Sequence, residues 1–173
     1  MAMDMGKAAE RLLRFSVLRP VAILPLSAVI RGIRMQQRHH QIIQSTNGRR
    51  LYDITPAVVR WVGEAGIREG LLTLYIQHTS ASIMVNENYD SDVLVDMESF
   101  FARLVPDGDP LFIHTAEGPD DMPAHVRSAL TQTSISIPVL DGKAALGTWQ
   151  GIFLYEHRRM QHTRKVLLHL IGE

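Results

Sequence analysis

A chain of 173 residues, 46% hydrophobic and 21% charged, is long enough for one domain with a substantial core. Its 18 basic and 18 acidic side chains cancel, which argues against nucleic acid or an anionic membrane surface as a partner. The lack of cysteine excludes disulfides, a thiol nucleophile and thiolate metal sites, so any metal must be held by histidine, carboxylate or water.

Residues 1–34 are unlike the rest. Lys7, Arg11, Arg14, Arg19, Arg31 and Arg34 stand there against only Asp4 and Glu10, which leaves the remainder net acidic. The apolar run Val21–Ile30 contains Pro25 and is too short to span a bilayer. For a secretory signal the preceding basic region is long, and no clear small-residue cleavage site follows. A basic amphipathic targeting segment is the alternative to a plain extension, which translation counted from a start upstream of Met35 would also give. The segment is read here as a poorly ordered extension, and residues 35–173 as a single cytoplasmic domain.

Gln41–Ser45 reads as a strand, and Asn47-Gly48 as a hairpin turn to a return strand over Arg50–Ile54. Thr55-Pro56 opens a helix, with Thr55 as its cap and Val58, Val59, Val62 and Ile67 as its apolar stripe. Leu71–Ile76 and Ala81–Val85 are rich in strand-favouring residues and predict two neighbouring strands. Alternation puts His78 on the face of Leu72, Leu74 and Ile76, with Leu71, Thr73 and Tyr75 opposite. Both faces are largely apolar, so this strand is expected to be covered on both sides.

A second helix should start at Asp90 or Ser91 and run to about Leu104, its core face formed by Val93, Met97, Phe100, Phe101 and Leu104. A loop follows over Val105–Pro110. The run from Pro119 to Pro123 opens a short helix, capped by Asp121 and carrying His125. Ser134–Leu140 is a strand and Asp141-Gly142 a hairpin turn. Ala144–His157 reads as one long strand bent at Gly147 or Gly151, and Arg164–Ile171 as the last strand. Strands and helices do not alternate as in a doubly wound sheet. The fold class is therefore α+β, largely antiparallel, with helices packed on the sheets.

The chain has no P-loop, dinucleotide fingerprint, zinc-protease helix motif or nucleophile elbow. Ser80 and Ser82 lie near His78 in sequence, which does not by itself make a triad. A looser constellation remains. His78, His114 and His125 each stand where an element starts, ends or opens, and Glu156 ends the long strand on the face of Gln150. Convergence of three imidazoles and a carboxylate would suit zinc or another divalent ion. The same groups, helped by Arg158, Arg159 and Arg164, would suit a phosphate without metal. Taken singly each has a plainer role: a core hydrogen bond for His78, a loop or cap bond for His114, the helix surface for His125 and an ion pair for Glu156.

The chain resembles the YjbQ-like family, named for a secondary thiamine-phosphate synthase activity, from about Met35 to Glu173. The resemblance rests on Tyr52-Asp53-Ile54-Thr55, His78-Thr79-Ser80-Ala81-Ser82 with Asn86-Glu87-Asn88, and His114. It continues through the run from Pro119 to His125, then Ser134–Pro138, Gly142, Leu146–Ile152 and Tyr155–Arg159. It implies an α+β fold and a homotrimer with sites in clefts between subunits. It also implies a phosphorylated small molecule as substrate, with no nucleic acid or membrane partner. Carried onto this sequence, His78, His125 and Glu156 would be catalytic, and Thr79, Ser80, Asn86, Gln150 and Arg158 would bind substrate. His78, His114 and His125 would hold a divalent metal, zinc or magnesium. At Asp121-Met122-Pro123 many relatives carry Asn and a further acid, so a ligand role for Asp121 does not carry over. The named reaction joins a pyrimidine diphosphate to a thiazole phosphate with release of pyrophosphate. Dedicated enzymes for it are TIM barrels, for which this domain has neither the length nor the βα repeats. A metal-dependent hydrolase and a non-catalytic anion-binding trimer are the other readings.

Overall fold

The computed structural model describes residues 34–173; the expectations for residues 1–33 lie outside the described residues. Among the described residues, eight strands form two antiparallel sheets. The larger has the order β1 (Gln36–Asn47), β8 (Gln161–Gly172), β3 (Gly70–Ile76), β5 (Ser134–Leu140) and β6 (Lys143–Ala144). The smaller has β7 (Gln150–Glu156) between β2 (Arg50–Asp53) and β4 (Ala81–Glu87). With the helices α1 (Thr55–Glu64), α2 (Ser91–Leu104) and α3 (Asp121–Leu130), this is an α+β fold.

The main core lies between the sheets. Leu72, Leu74, Ile76, Val166, Leu168 and Leu170 of the larger sheet meet Ala81, Ile83, Ile152 and Leu154 of the smaller, and Val58 and Val62 of α1 join them. Each of these large aliphatic side chains contributes about 2 kcal/mol by leaving water. The other face of β7 presents Phe153 and Tyr155 to Phe101, Leu94 and Met97 of α2. Strand β7 is thus buried on both faces, which accounts for its nearly unbroken apolar run.

Several local signals act differently from expectation. The turn at Asn47-Gly48, with Gly48 at φ 86°, joins strands that part into separate sheets: β1 pairs with β8 and β2 with β7. Likewise β3 and β4 are consecutive but unpaired. Among the described residues only the Asp141-Gly142 turn closes a true hairpin, with both residues at positive φ (49° and 75°) and Val139 facing Ala144. The long strand expected over Ala144–His157 divides into β6 and β7, one in each sheet, with Gly147 in the break.

Asp90 caps α2 through the Asp92 N–H at 2.9 Å. The packed face of that helix is turned, however, so that Phe101 is buried while Phe100 and Leu104 are exposed. Thr55 does not cap α1; its hydroxyl accepts the Ile152 N–H at 2.7 Å and ties the helix to β7. The outer face of the larger sheet is open, with Leu71 44% and Tyr75 49% exposed, so β3 is covered on one side only. None of the described helices is long and apolar enough to cross a membrane.

Candidate functional site

The site forms where α3 begins beside the β3–β4 connection. Asp121, in the first turn of α3, is only 2% exposed. It does not cap the helix. Its Oδ1 pairs with Arg158, and its Oδ2 lies 2.8 Å from His114 Nε2 and 3.5 Å from His125 Nε2. His125 follows one helical turn later, so its ring falls on the same side as Asp121. His114 reaches in from the irregular segment between α2 and α3. The three ligand atoms lie within 4.8 Å of one another.

His125 is oriented from behind. Its Nδ1 is 3.0 Å from the Thr79 carbonyl oxygen, which can only accept, so Nδ1 carries the proton and donates. In the neutral ring Nε2 is then a lone pair, turned towards a carboxylate oxygen that is also an acceptor. Two acceptors 3.5 Å apart call for a cation between them, either a proton or a metal. Two imidazole nitrogens and one carboxylate oxygen match a three-ligand divalent site that keeps a position for water or substrate. The residues present therefore fit a metal.

Arg158 holds this arrangement. Besides Asp121, its guanidinium donates to Asp120 at 3.2 Å and to the Glu117 carbonyl at 2.8 Å. The Asp120 carboxylate also accepts the Arg159 N–H at 2.9 Å. Burial alone would raise the Asp120 carboxyl, but this N–H and the Arg158 charge outweigh it and hold the pKa below the usual range. Arg158, expected to bind substrate, is buried and spent on orienting carboxylates.

Beside the cluster lies a cleft of about 800 Å³, lined by Tyr75, His78, Thr79, Ser80, His125 and Arg164, among others. A second cavity of about 340 Å³ is bordered by His114. No acidic side chain lines the larger cleft. His78 Nε2 accepts the Lys165 N–H at 2.8 Å, so this nitrogen is not available to a metal and the ring presents Nδ1–H instead. Burial, reinforced by the Arg164 charge, lowers the His78 pKa and keeps the ring neutral. The side chain grouped with His114 and His125 in a geometry that could hold a metal is thus Asp121, not His78.

Glu156, expected to be catalytic, is fully buried. Its carboxylate accepts from Arg164 Nε (2.7 Å) and Nη2 (2.5 Å), the Thr46 hydroxyl (2.7 Å) and the Arg158 N–H (2.9 Å). Burial would raise its pKa, but these donors, Arg164 first, keep it lowered. With its acceptor positions occupied, Glu156 anchors Arg164 rather than serving as a free base.

Asn86 and Gln150 lie elsewhere. They share the end of the smaller sheet where Asn86 faces Gly151, whereas Glu156 faces Ala81 at the other end. Gln150 and Glu156 stand six positions apart on β7, about 20 Å along the strand. Each is locally satisfied, Asn86 by the Glu87 N–H and Gln150 by the Gly147 N–H. Sequence reasoning made Asp121 a helix cap, and it named Arg164 only beside Arg158 and Arg159 as help for a phosphate. The spacing of Asp121 and His125, one helical turn apart, was the available signal for the former.

The fold and site define a two-sheet α+β domain with a His-Asp-His cluster beside a cleft. Comparison with known proteins places it more closely: the chain belongs to the UPF0047 YjbQ-like family, whose model matches residues 39–173. A UPF0047 protein of Synechocystis sp. is 47% identical over 138 residues, 79% of this chain and 94% of the relative. The YjbQ protein of Escherichia coli O157:H7 is 50% identical over 104 residues, 60% of this chain and 75% of that protein. The crystal structure of a YbjQ-like protein from Sulfolobus solfataricus P2 matches with a TM-score of 0.74 at 27% identity, covering 81% of this chain and all (100%) of that one. A hypothetical protein from Aeropyrum pernix K1 gives 0.71 at 30% identity, with 79% and 99% covered.

Proposed function

We propose that this protein is a divalent-metal-dependent enzyme acting on a phosphorylated small molecule, with thiamine-phosphate formation as a secondary activity. The observation that carries this reading is the lone pair of His125 Nε2, fixed by the Thr79 carbonyl and aimed at Asp121 Oδ2 beside His114. His114, Asp121 and His125 would hold the ion. A bound divalent ion supplies charge for a departing phosphate or pyrophosphate and acidifies a bound water. The chain's own groups do the rest. Arg158 fixes the Asp121 carboxylate, Thr79 fixes the His125 ring, and the His78 N–H donates towards whatever occupies the cleft.

A three-residue ligand set, with a position left for water, equally supports hydrolysis, so a metal-dependent hydrolase is the second reading. The open apolar face around Leu71 and Tyr75 supports a homotrimer. A cytoplasmic location belongs to the same proposal.

The test is metal analysis on protein purified without a histidine tag, beside assays with the two thiamine-phosphate precursors and a panel of phosphate esters. The wild type should carry metal near one per chain, and His114→Ala should lose it together with turnover. A wild type holding only traces of metal, unchanged by His114→Ala, overturns the metal reading. Turnover that survives in His114→Ala places the chemistry elsewhere.

A further inference from the structure

The guanidinium of Arg164 points to a second binding element in the cleft, separate from the metal cluster. An arginine has five N–H donors in a rigid fork. In Arg164 the Nε–H goes to Glu156, and the two Nη2 hydrogens go to Glu156 and to Ser80 Oγ at 3.1 Å. Nη1 has no partner among the described residues and is not sealed from solvent, although the side chain as a whole is only 5% exposed. Arg164 is therefore clamped from behind by a buried carboxylate and borders the cleft with two unspent donors.

Two further donors border the same cleft. Ser80 Oγ accepts from Arg164, so its own hydrogen remains to be given. His78 Nε2 is occupied by the Lys165 N–H, so the proton of the neutral ring sits on Nδ1, which has no partner among the described residues. The lining thus offers a guanidinium edge, a hydroxyl and an imidazole N–H, with no carboxylate to compete.

We infer that Arg164, Ser80 and His78 form an oxyanion subsite for the phosphate end of a small molecule. The subsite binds without metal and positions that end while the rest of the ligand reaches the His-Asp-His cluster. A phosphate suits this set better than a carboxylate. Three separate donor groups match a tetrahedral group with three free oxygens, whereas a planar carboxylate would engage two of them. The preorganisation has an identifiable source: Glu156, Thr46 and the Arg158 N–H hold the far side of the fork, so the guanidinium is already placed when an anion arrives.

The inference rests on the proposed reading of the cleft as the substrate site, but its test does not need the metal. Full-length protein stripped with EDTA is titrated with inorganic phosphate, and separately with acetate, by calorimetry or 31P line broadening. Phosphate should bind to stripped wild type and to His114→Ala alike, and at least tenfold more tightly than acetate. Arg164→Lys preserves the charge opposite Glu156 but loses the fork, and His78→Gln keeps an acceptor for the Lys165 N–H. Each should weaken phosphate at least tenfold, with the melting curve confirming that the variant is folded. Should Arg164→Lys not fold, His78→Gln carries the comparison. Phosphate affinity equal in wild type and folded variants overturns the subsite, as does affinity that disappears on metal removal. Failure of the metal reading alone would leave phosphate binding intact.

Discussion

Lowering the pH from 7 to 5 should remove about 2 kcal/mol of stability through His157 alone. This side chain is fully buried, with Nε2 3.0 Å from Ser82 Oγ and the ring edge-on to Tyr155 at 4.3 Å. Its Nδ1 has no partner among the described residues. Burial, reinforced by Arg127, Arg49 and Arg164, lowers its pKa from 6.5 to about 3. The unfolded chain therefore takes up a proton below about pH 6.5 that the folded chain refuses. The stability due to neutral His157 is complete above pH 6.5 and is lost as the pH falls towards 3.

Over the whole window the loss approaches 5 kcal/mol, at about 1.4 kcal/mol per pH unit. By pH 5 about two-fifths of it has been lost. Urea unfolding at pH 7 and pH 5 should show the decline in wild type. His157→Gln keeps a polar partner for Ser82 but cannot titrate, so its decline should be smaller by about 2 kcal/mol. The difference between the two proteins removes the contributions of His78 and His162, whose pKa values burial also lowers. An equal decline in both proteins would refute the assignment of a neutral, sequestered His157.

Three further outcomes follow from the same structure. Glu156→Gln leaves the buried Arg164 without its counter-charge, so urea unfolding at pH 7 should show a loss of about 3–5 kcal/mol. Among glycines, a Cβ at Gly172 would land on the Glu69 carbonyl oxygen, whereas one at Gly63 of α1 meets nothing within 4 Å. Gly172→Ala should therefore destabilise by about 1–3 kcal/mol or more, and Gly63→Ala should stabilise by up to about 1 kcal/mol, read as opposite shifts in melting temperature.

Some local signals in this chain keep their local meaning, while the caps expected at Thr55 and Asp121 do not form. Asp90 caps α2, and Asp141-Gly142 closes a hairpin because only a two-residue turn with both φ values positive fits there. The Asn47-Gly48 turn carries the same signature, yet its strands part. A turn fixes the path of a few residues, while partners for β1 and β2 are chosen by β8 and β7, paired with them across separations of 100 residues or more. The helix face of α2 was misjudged for a related reason. Phe100 and Phe101 are equally apolar, and only the position of Tyr155 on β7 decides which is covered.

What the sequence determined by itself was the inventory: an α+β chain, a metal set restricted to nitrogen and oxygen donors, and His114, His125, His78 and Glu156 as groups with unusual placement. What the tertiary structure decided was the direction in which each group is spent. His125 turns Nε2 towards Asp121 because a carbonyl from the β3–β4 connection takes its other nitrogen. His78 becomes a donor because β8 supplies an N–H to its Nε2. Glu156 becomes an anchor because Arg164 reaches back eight residues to claim it, and Asp121 enters the site because Arg158 occupies only one of its two oxygens. Each outcome depends on a hydrogen bond to a group remote in sequence or on a facing strand. The direction of a lone pair is set by that partner, which residue spacing cannot supply.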